Sequence, residues 1–446
     1  MDERVAGVDQ QERVDGTRLS RWHPYPAMVA DELALRLASA HVQPGMRILD
    51  PFCGTGRLLF AAARTTGTRC VGLDINPLAC LVTEAKAAKP DTAKLRELRQ
   101  EATARPRKGS VRLTLRGAKV EWLSDHVADE LGEIVAWLNK AAMSRDELLV
   151  TAACLSAATR EAAWIRKSGW KLHRMDRAAR AEHRVSAWSR FTNKLDQYIR
   201  EEHLLPLVGT LATHNVDAAT VQAITGDDPE FDLIMTSPPY GDSRTTVQYG
   251  ATSGICLDVV SRLEGLDRMF IAGGAIDRAC LGGARDRADV GFRLRDYWAG
   301  AADGEPARRA KAFLQDYAEV LAKCHEVLKP GGSVVAIVGR RSLGGYRLRL
   351  DDFTRDSLTG LGCTFEGSLK RHLMQKSLPR KVNRFGRAAD MEKRLAGATR
   401  TMDGEIILTL TKKARVGHLA ARGFSKTSGS HQQNLTSNEC QSLTNR

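Results

Sequence analysis

The sequence lacks the features of a membrane-spanning, secreted or disulfide-linked protein. It has no run of about 18 apolar residues, the length that a spanning helix needs, and its N-terminal residues 1–20 contain no apolar core like that of a signal peptide. Its nine cysteines are scattered singly, without a CxxC pair, which argues against a disulfide framework and a zinc site. These absences favour a protein of the reducing cytoplasm.

Acidic residues are too few to balance the basic ones. The 446 residues include 67 Lys and Arg against 53 Asp and Glu, which leaves a net charge of +14. Residues 160–200 carry a net +7, together with Trp164, Trp170 and Trp188, and residues 370–400 carry a net +8. Basic groups interleaved with flat rings are typical of a nucleic-acid surface. A solvated helical face with its aromatics in the core has the same composition, and both interpretations stay open.

Neither of the common phosphate-binding glycine motifs is present. The loop after the predicted strand Met46–Asp50 has the sequence PFCGTG over residues 51–56, which matches neither GxGxxG nor the P-loop. Gly54 and Gly56 allow a ligand to approach the backbone closely, and Asp74 ends the next predicted strand, where a carboxylate can bind ribose hydroxyls. A nucleoside without pyrophosphate, such as S-adenosylmethionine, fits both observations. A glycine turn followed by a capping aspartate is the structural alternative.

The second motif is TSPPY at residues 236–240, directly after the predicted strand Phe231–Met235. Two consecutive prolines fix φ and end the strand in a stiff loop. The Ser237 hydroxyl and the Pro238 carbonyl can accept the two N–H groups of an exocyclic amino group on a base. Tyr240 can stack on a base that has left its helix. The alternative is a proline-rich turn with no chemical role.

Hydrophobic periodicity divides the rest of the chain. Residues 91–204 show helical spacing with almost no strand signal, and the tail from 412 is rich in Ser, Asn, Gln and Thr, as disordered segments are. On either side of the helical stretch, strand and helix patterns alternate as in a doubly wound α/β unit. The further predicted elements are helices over Pro26–Ala40, Leu58–Ala63 and 311–328, and strands at Cys70–Asp74, Val221–Ile224, Ser333–Val338 and Gly404–Leu410.

The two motifs together resemble those of the S-adenosylmethionine-dependent DNA amino-methyltransferases. DPFCGTG at residues 50–56 is similar to that family's cofactor motif, and TSPPY is similar to its catalytic motif. HPYPAM at 23–28 is similar to a segment that precedes the cofactor motif and lines the methionine end of the cofactor. KPGG at 329–332 is similar to a late element of the same domain. The resemblance covers about residues 20–90 and 220–410.

The resemblance, together with the periodicity, predicts a fold, a cofactor and a domain layout. The predicted fold class is α/β: a Rossmann-like methyltransferase with a mostly parallel doubly wound sheet, an antiparallel C-terminal strand and a helical insert. The implied cofactor is S-adenosylmethionine. The layout is a flexible arm at 1–17, a catalytic domain at 18–90 and 205–411, a helical insert at 91–204 that is the candidate target-recognition region, and a disordered tail at 412–446.

The resemblance also implies roles for single residues. The target amino group is held by Ser237, Pro238, Pro239 and Tyr240. The implied cofactor contacts are Tyr25, Pro26, Asp50, Phe52, Gly54, Gly56, Asp74 and Asp227, the last with a plain turn aspartate as its alternative. The predicted DNA contacts, from the basic windows and the loop after the prolines, are Arg166, Lys167, Lys171, Arg174, Arg244, Lys376, Arg380 and Lys381.

The predicted reaction is direct methyl transfer to the amino group of a flipped base. In the family that the chain resembles, the residue before the two prolines is often Asp or Asn in enzymes that methylate adenine N6. Ser at this position is more typical of enzymes that methylate cytosine N4, so Ser237 favours cytosine N4. No metal or covalent intermediate is required, and Cys53 is predicted to be a packing residue. Adenine N6 in DNA, guanine N2 in RNA, and a nucleic-acid-binding protein with an inactive methyltransferase core remain as alternatives. The predicted partners are double-stranded DNA and a restriction endonuclease. The two basic segments, residues 160–200 and 370–400, are expected to flank one cleft and to bind the DNA phosphates.

Overall fold

A computed structural model of the chain describes residues 22–26, 28–104, 111–116, 122–166, 173–201, 207–225, 230–241, 249–266, 273–282, 297–299, 305–343, 346–371, 381–382, 399–400 and 402–414. The helices are α1 (Asp31–His41), α2 (Arg57–Ala62), α3 (Pro77–Ala87), α4 (Thr92–Ala104), α5 (Asp125–Leu138), α6 (Arg145–Ala162), α7 (Arg177–Glu182), α8 (Ala187–Glu201), α9 (Gln222–Thr225), α10 (Tyr249–Val260), α11 (Gly273–Ala279), α12 (Glu305–Val327) and α13 (Leu350–Gly360). The strands are β1 (Arg47–Asp50), β2 (Arg69–Leu73), β3 (Thr210–His214), β4 (Phe231–Thr236), β5 (Trp298–Ala299), β6 (Leu328–Leu343), β7 (Tyr346–Arg349), β8 (Cys363–Arg371), β9 (Lys381–Val382), β10 (Thr399–Arg400) and β11 (Met402–Lys412).

The main sheet is mostly parallel and has one reversed strand near its end. Its strand order is β3-β2-β1-β4-β6-β11-β8. The pairs from β3 to β6 are parallel, whereas β11 lies antiparallel between β6 and β8. The short strands β5 and β7 extend the sheet beside the end of β6, and β9 pairs with β10. The predicted α/β class with an antiparallel C-terminal strand is therefore confirmed.

The sheet is covered by helices on both faces because its central strands carry apolar side chains at consecutive positions. Leu49 and Ile234 lie in one cluster with residues of α12 and α13, whereas Ile48 and Leu233 lie in a second cluster with residues of α1 and α2. Consecutive residues of a strand point to opposite faces, so a strand that is apolar at every position needs cover on both sides. This double cover is what makes β1 and β4 recognisable in the sequence.

The predicted third strand is wrong. Val221–Ile224 is not a strand: Ala218–Thr220 form a 3₁₀ turn and α9 follows it. The Asp217 carboxylate caps this turn by accepting the N–H of Ala219 at 3.0 Å, which starts a helical path in place of an extended one. The true third strand is β3, which pairs in parallel with β2 at the edge of the sheet. Because none of its residues is fully buried, it lacks the apolar run of an inner strand.

Two predicted helices begin at other residues than expected. The helix predicted from Pro26 begins at Asp31, since Pro26 lies in a turn before it. The acidic residues Asp31 and Glu32 occupy the first turn of α1, where they complement the positive end of the helix dipole. The helix predicted over 311–328 begins earlier, at Glu305.

The helices of residues 92–201 form a third core together with parts of the α/β fold. Leu131, Cys154 and Phe191 from this helical stretch are fully buried in the same cluster as Leu81 of α3 and Leu257 of α10. The indole of Trp22 also lies in this cluster and is fully buried. The helices α3 and α10 therefore share their packing with the helical stretch. None of the described helices is both long and apolar enough to span a membrane.

Candidate active site

The carboxyl ends of the inner strands meet at one edge of the sheet. Ile48 and Leu49 of β1 pair in register with Leu233 and Ile234 of β4, and β1 also pairs with β2. The strand order reverses between β1 and β4, and open α/β sheets bind ligands at such a point. A cavity lies there, lined by Tyr25, Pro26, Met28, Val29, Asp50, Pro51, Phe52, Cys53, Gly54, Thr55, Arg57, Leu58, Asp74, Ile75, Asn76, Asp217, Ala218, Ser237, Pro239, Tyr249, Ala279, Cys280 and Leu281.

Asp50 connects the two sequence motifs. Its Oδ1 accepts the N–H of Phe52 at 3.0 Å and the Thr236 hydroxyl at 2.6 Å, so one carboxylate oxygen fixes the loop after β1 to the end of β4. Burial raises the pKa of Asp50 from 3.8 to about 7, against the opposing effect of these two hydrogen bonds. The second motif is therefore held beside the first by a buried polar contact.

Asp74 shapes the other side of the cavity. Its Oδ2 accepts the N–H of Gly54 at 2.9 Å, and its Oδ1 accepts the N–H of Asn76 at 2.8 Å. Burial raises the pKa of Asp74 from 3.8 to about 6, because desolvation outweighs the two backbone hydrogen bonds. Each oxygen keeps a further lone pair, so the carboxylate can still accept hydrogen bonds from a ligand in the cavity.

Gly54 and Gly56 serve different purposes in the same loop. Both have positive φ, +52° and +70°. A Cβ at Gly54 would meet no atom within 4 Å, whereas a Cβ at Gly56 would lie 2.4 Å from Cγ2 of Thr83. The Thr83 hydroxyl donates to the Gly54 carbonyl at 3.0 Å, and the buried Lys86 ammonium donates to the Thr55 carbonyl at 2.7 Å. Gly54 therefore leaves open space beside the cavity, and Gly56 allows the loop to pack tightly on α3.

Cys53 lies at the base of the cavity and is buried among apolar side chains. It is 6% exposed and shares a cluster with Leu58 and Leu59. Burial raises the pKa of its thiol well above the ordinary value. A protonated, packed thiol is a poor nucleophile, which supports the prediction that Cys53 is a packing residue.

The N-terminal segment and α10 close the cavity with aromatic rings. The rings of Tyr25 and Tyr249 stack with their centroids 6.1 Å apart. The Asn76 amide donates to the Tyr25 hydroxyl at 2.9 Å and to the Ser253 hydroxyl at 2.7 Å, while its oxygen accepts the N–H of Leu78 at 3.1 Å. Asn76 therefore joins the start of α3 to both of the segments that carry the rings.

The second motif presents one hydroxyl to the cavity and a second one behind it. Ser237 and Pro239 line the cavity, and the Ser237 Oγ lies 3.3 Å from the Tyr240 hydroxyl. That tyrosine hydroxyl donates to Oε1 of Glu405 on β11 at 3.4 Å, and Arg371 at the end of β8 donates to Oε2 of the same carboxylate at 3.0 Å. Burial and the neighbouring Glu405 raise the pKa of Tyr240 well above its ordinary value of 10.

The structure brings most of the predicted cofactor and target residues into this one site. The residues that line the cavity are Tyr25, Pro26, Asp50, Phe52, Gly54, Asp74, Ser237 and Pro239. Pro238 is buried, Tyr240 packs beside the cluster that contains Leu49 and Tyr317, and Gly56 packs on Thr83. Asp227 lies outside the described residues.

The predicted DNA contacts are only partly described. Arg166 and Arg174 lie on two paired backbone arms, joined by a bridge between Ile165 and Arg174. The Arg174 guanidinium lies 5.6 Å from the centroid of the Trp164 ring, and Arg166 forms an ion pair with Asp176 at 3.0 Å. Lys167, Lys171, Arg244, Lys376, Arg380 and the side chain of Lys381 lie outside the described residues. The expectation that two basic windows flank one cleft therefore stays a prediction.

Several residues of the site are absent from the sequence prediction. Asn76 had a readable signal, because Asn followed by Pro is typical of a helix N-cap. Arg57 lines the cavity and forms a buried ion pair with Asp31 of α1, and no motif marks that pair. Asp217 caps the turn that follows β3, and Glu405 lies on β11; the sequence does not reveal the places of these two strands in the sheet. Among the described residues, no group of three His, Cys, Asp or Glu side chains could hold a metal ion.

Comparison with known proteins shows what the chain is similar to. No family model matches it. The chain is 24% identical over 432 residues to the type II methyltransferase M.MvaI of Kocuria varians, a match that covers 87% of this chain and 90% of that protein. A shorter match of 76 residues, 34% identical, joins 17% of the chain to 14% of the type II methyltransferase M.MjaII of Methanocaldococcus jannaschii.

Superposition on solved structures adds nothing to this likeness. The crystal structure of TrmN from Thermus thermophilus covers 86% of this chain with 48% of its own length, at 12% identity and a TM-score of 0.28, which is too low to support an argument. The match to M.MvaI, by contrast, runs along nearly the whole chain. It confirms the predicted resemblance to DNA methyltransferases, since the chain is similar to a type II methyltransferase over most of its length.

Proposed function

We propose that this chain transfers a methyl group from S-adenosylmethionine to the exocyclic amino group of a flipped DNA base, with cytosine N4 as the target. The observation that carries the proposal is the shared cavity: Ser237 and Pro239 line the same space as Asp50, Gly54 and Asp74. A methyl acceptor held at the second motif would thus adjoin a donor held at the first.

The cavity has the chemistry that S-adenosylmethionine would need. Asp74 has acceptor capacity for ribose hydroxyls, Gly54 leaves open space beside the backbone, and Phe52 offers a flat ring. Tyr25 and Pro26 lie where the methionine end is expected from the resemblance. Two buried carboxylates with raised pKa values also favour a cationic ligand, because a nearby positive charge stabilises their ionised forms.

The residues of the second motif would orient the amino group and accept its hydrogen bonds. When bound, S-adenosylmethionine supplies an electrophilic methyl group on a positively charged sulfur. An exocyclic amino nitrogen is a weak nucleophile because its lone pair is delocalised into the ring. Acceptors at the Ser237 hydroxyl and the Pro238 carbonyl would draw its N–H bonds out of the plane of the base and restore electron density to the nitrogen. Orientation and charge placement then supply the rate enhancement.

The DNA partner and the base are supported by different observations. Similarity to a type II methyltransferase along 87% of the chain supports a DNA substrate. Ser237, directly before the two prolines, favours cytosine N4 over adenine N6. The helical insert at 91–204 is proposed as the target-recognition region, and Arg166 and Arg174 as its described phosphate contacts. Pairing with a restriction endonuclease stays a prediction.

Expression of the whole chain in a methylation-free bacterial host, followed by genome-wide detection of modified bases, tests the proposal. We expect N4-methylcytosine at one recurrent short sequence, and none in cells that carry the vector alone. N6-methyladenine at such a sequence would overturn the choice of base while supporting the DNA substrate. An unmodified genome, with the protein folded and soluble, would overturn the DNA proposal and favour the RNA or inactive-core alternative.

The raised pKa of Asp74 predicts pH-dependent cofactor binding. Ionised Asp74 accepts ribose hydroxyls, and its protonation below a pKa of about 6 removes acceptor capacity. We therefore expect the Kd for S-adenosylmethionine, measured by calorimetry, to rise by about tenfold as the pH falls from 7 to 5.

Asp74→Asn is the matched control for this titration. It keeps the size of the side chain but cannot ionise, so its pH profile should be flatter than that of the wild type. The difference between the two profiles isolates Asp74 from Asp50, whose pKa is about 7. Parallel profiles for the two proteins would contradict a cofactor role for the Asp74 carboxylate.

A further inference from the structure

Four polar side chains form a continuous hydrogen-bonded path that leads away from the cavity. The path runs from the Ser237 hydroxyl to the Tyr240 hydroxyl at 3.3 Å, on to Glu405 at 3.4 Å, and ends at Arg371 at 3.0 Å. Its residues come from the loop after β4, from β11 and from β8. The antiparallel position of β11 between β6 and β8 is what places Glu405 behind the second motif.

The charge of Glu405 sets the direction of the hydrogen bonds along this path. A carboxylate can only accept, so Tyr240 must donate its proton to Glu405. The Ser237 hydroxyl can then donate to the Tyr240 oxygen, which leaves the lone pairs of Ser237 Oγ available on the cavity side. Arg371 donates to the other oxygen of this carboxylate at 3.0 Å, and the Glu405 side chain is only 9% exposed. Without this carboxylate, Tyr240 could donate to Ser237 instead and occupy one of the lone pairs that the amino group needs.

We propose that Glu405 is a positioning residue for the methyl transfer, which keeps Ser237 as a hydrogen-bond acceptor and receives, through Tyr240, the proton that the amino group loses. This inference rests on the proposed function. Glu405 does not line the cavity and acts through Tyr240, so its effect is on the rate of the transfer step and not on the binding of cofactor or DNA.

The proton balance of the step follows from the same path. The amino nitrogen forms a bond to the methyl carbon as the carbon–sulfur bond breaks and leaves its electron pair on sulfur. The nitrogen then bears a positive charge and gives one proton to Ser237 Oγ. The Ser237 proton moves to the Tyr240 oxygen, and the Tyr240 proton moves to Glu405. The carboxylate ends neutral beside Arg371, and it returns to the ionised form by releasing its proton to water.

Glu405→Gln tests the inference on the full-length protein, with single-turnover methylation of a DNA duplex that contains the recognition sequence found in the host genome. We expect the transfer rate to fall by about 10²-fold, the lower end of the range for loss of one proton-transfer group. The Kd values for cofactor and DNA should stay within about twofold of the wild type, since no binding contact is removed. A loss of affinity with an unchanged transfer rate would point to a merely structural role and overturn the inference.

Two further variants separate the path from general damage to the fold. Tyr240→Phe keeps the ring and removes the middle hydroxyl, so it should slow transfer to a similar extent, and the double variant with Glu405→Gln should be little slower than either single one. Additive losses would overturn the inference. Asp232→Asn, which alters a carboxylate paired with Lys329 at the opposite end of β4, should leave the transfer rate unchanged.

These measurements distinguish failure of this inference from failure of the proposed function. A wild-type protein that methylates no amino group would overturn the proposed function itself. A wild-type protein that methylates DNA, together with Glu405→Gln and Tyr240→Phe variants that transfer at the wild-type rate, would overturn only the role given to Glu405.

Discussion

The double variant Ser237→Ala, Tyr240→Ala should bind S-adenosylmethionine normally and transfer no measurable methyl group. Ser237 supplies a hydroxyl at the cavity wall, and Tyr240 supplies a second hydroxyl 3.3 Å from Ser237 Oγ together with the ring that we propose stacks on the target base. Their removal leaves Asp50, Gly54 and Asp74 untouched, so the cofactor contacts remain. We expect single-turnover methylation to fall by about 10³-fold or more, since loss of one preorganised hydrogen-bonding group alone costs about 10²- to 10³-fold.

The control for this variant is a tyrosine outside both the cavity lining and the hydrogen-bonded path that contains Ser237 and Tyr240. Tyr297 donates its hydroxyl to Asp356 on α13 at 3.1 Å, and Tyr297→Phe should transfer methyl groups at the wild-type rate. Cofactor affinity of the double variant, measured by calorimetry, should lie within about twofold of the wild type. Transfer by the double variant within tenfold of the wild type would show that the acceptor is held elsewhere.

The inner strands of the fold can be predicted from the sequence because they are buried on both faces. β1, β2, β4 and β6 each contain an apolar run, and each is followed by glycine, proline or a carboxylate that ends it. β3 has no such run, since its residues are half-exposed at the edge of the sheet. The polar sequence TLATH at 210–214 therefore predicts no strand, whereas the more apolar Val221–Ile224 does and is helical in the structure.

The candidate site likewise contains residues that can be predicted from the sequence and residues that cannot. Asp50, Asp74 and Ser237 could be predicted because each directly follows or ends an apolar strand, and parallel strands bring their carboxyl ends to one edge. Glu405 could not be predicted, because it lies 165 residues from Tyr240 in the sequence. Its contact depends on β11 running antiparallel beside β6, and strand order is a property of the whole sheet that local periodicity does not contain.

Gly56→Ala should destabilise the fold more than the equivalent change at Gly54. At Gly56 a Cβ would lie 2.4 Å from Cγ2 of Thr83, in a backbone conformation with φ +70°. Strain of a left-handed residue contributes about 1–2 kcal/mol, and overpacking about 1–3 kcal/mol. We expect the free energy of unfolding, measured with urea, to fall by about 2–5 kcal/mol for Gly56→Ala. For Gly54→Ala, whose Cβ meets no atom within 4 Å, we expect a loss of about 1 kcal/mol.

Thr83→Ser, added to Gly56→Ala, separates the clash from the strain. It removes the methyl group nearest to the new Cβ and keeps the hydroxyl that donates to the Gly54 carbonyl at 3.0 Å. The double variant should therefore recover much of the free energy of unfolding lost to overpacking, since only the hydroxyl oxygen and Cβ of residue 83 stay close to the new Cβ, at 3.0 and 3.2 Å. It should keep the strain of the left-handed residue. Recovery should extend to cofactor affinity, because the loop that Thr83 holds is the one that presents the Gly54 N–H to Asp74 at 2.9 Å. If Thr83→Ser gave no recovery of either quantity, contact with α3 would not be the reason for glycine at position 56.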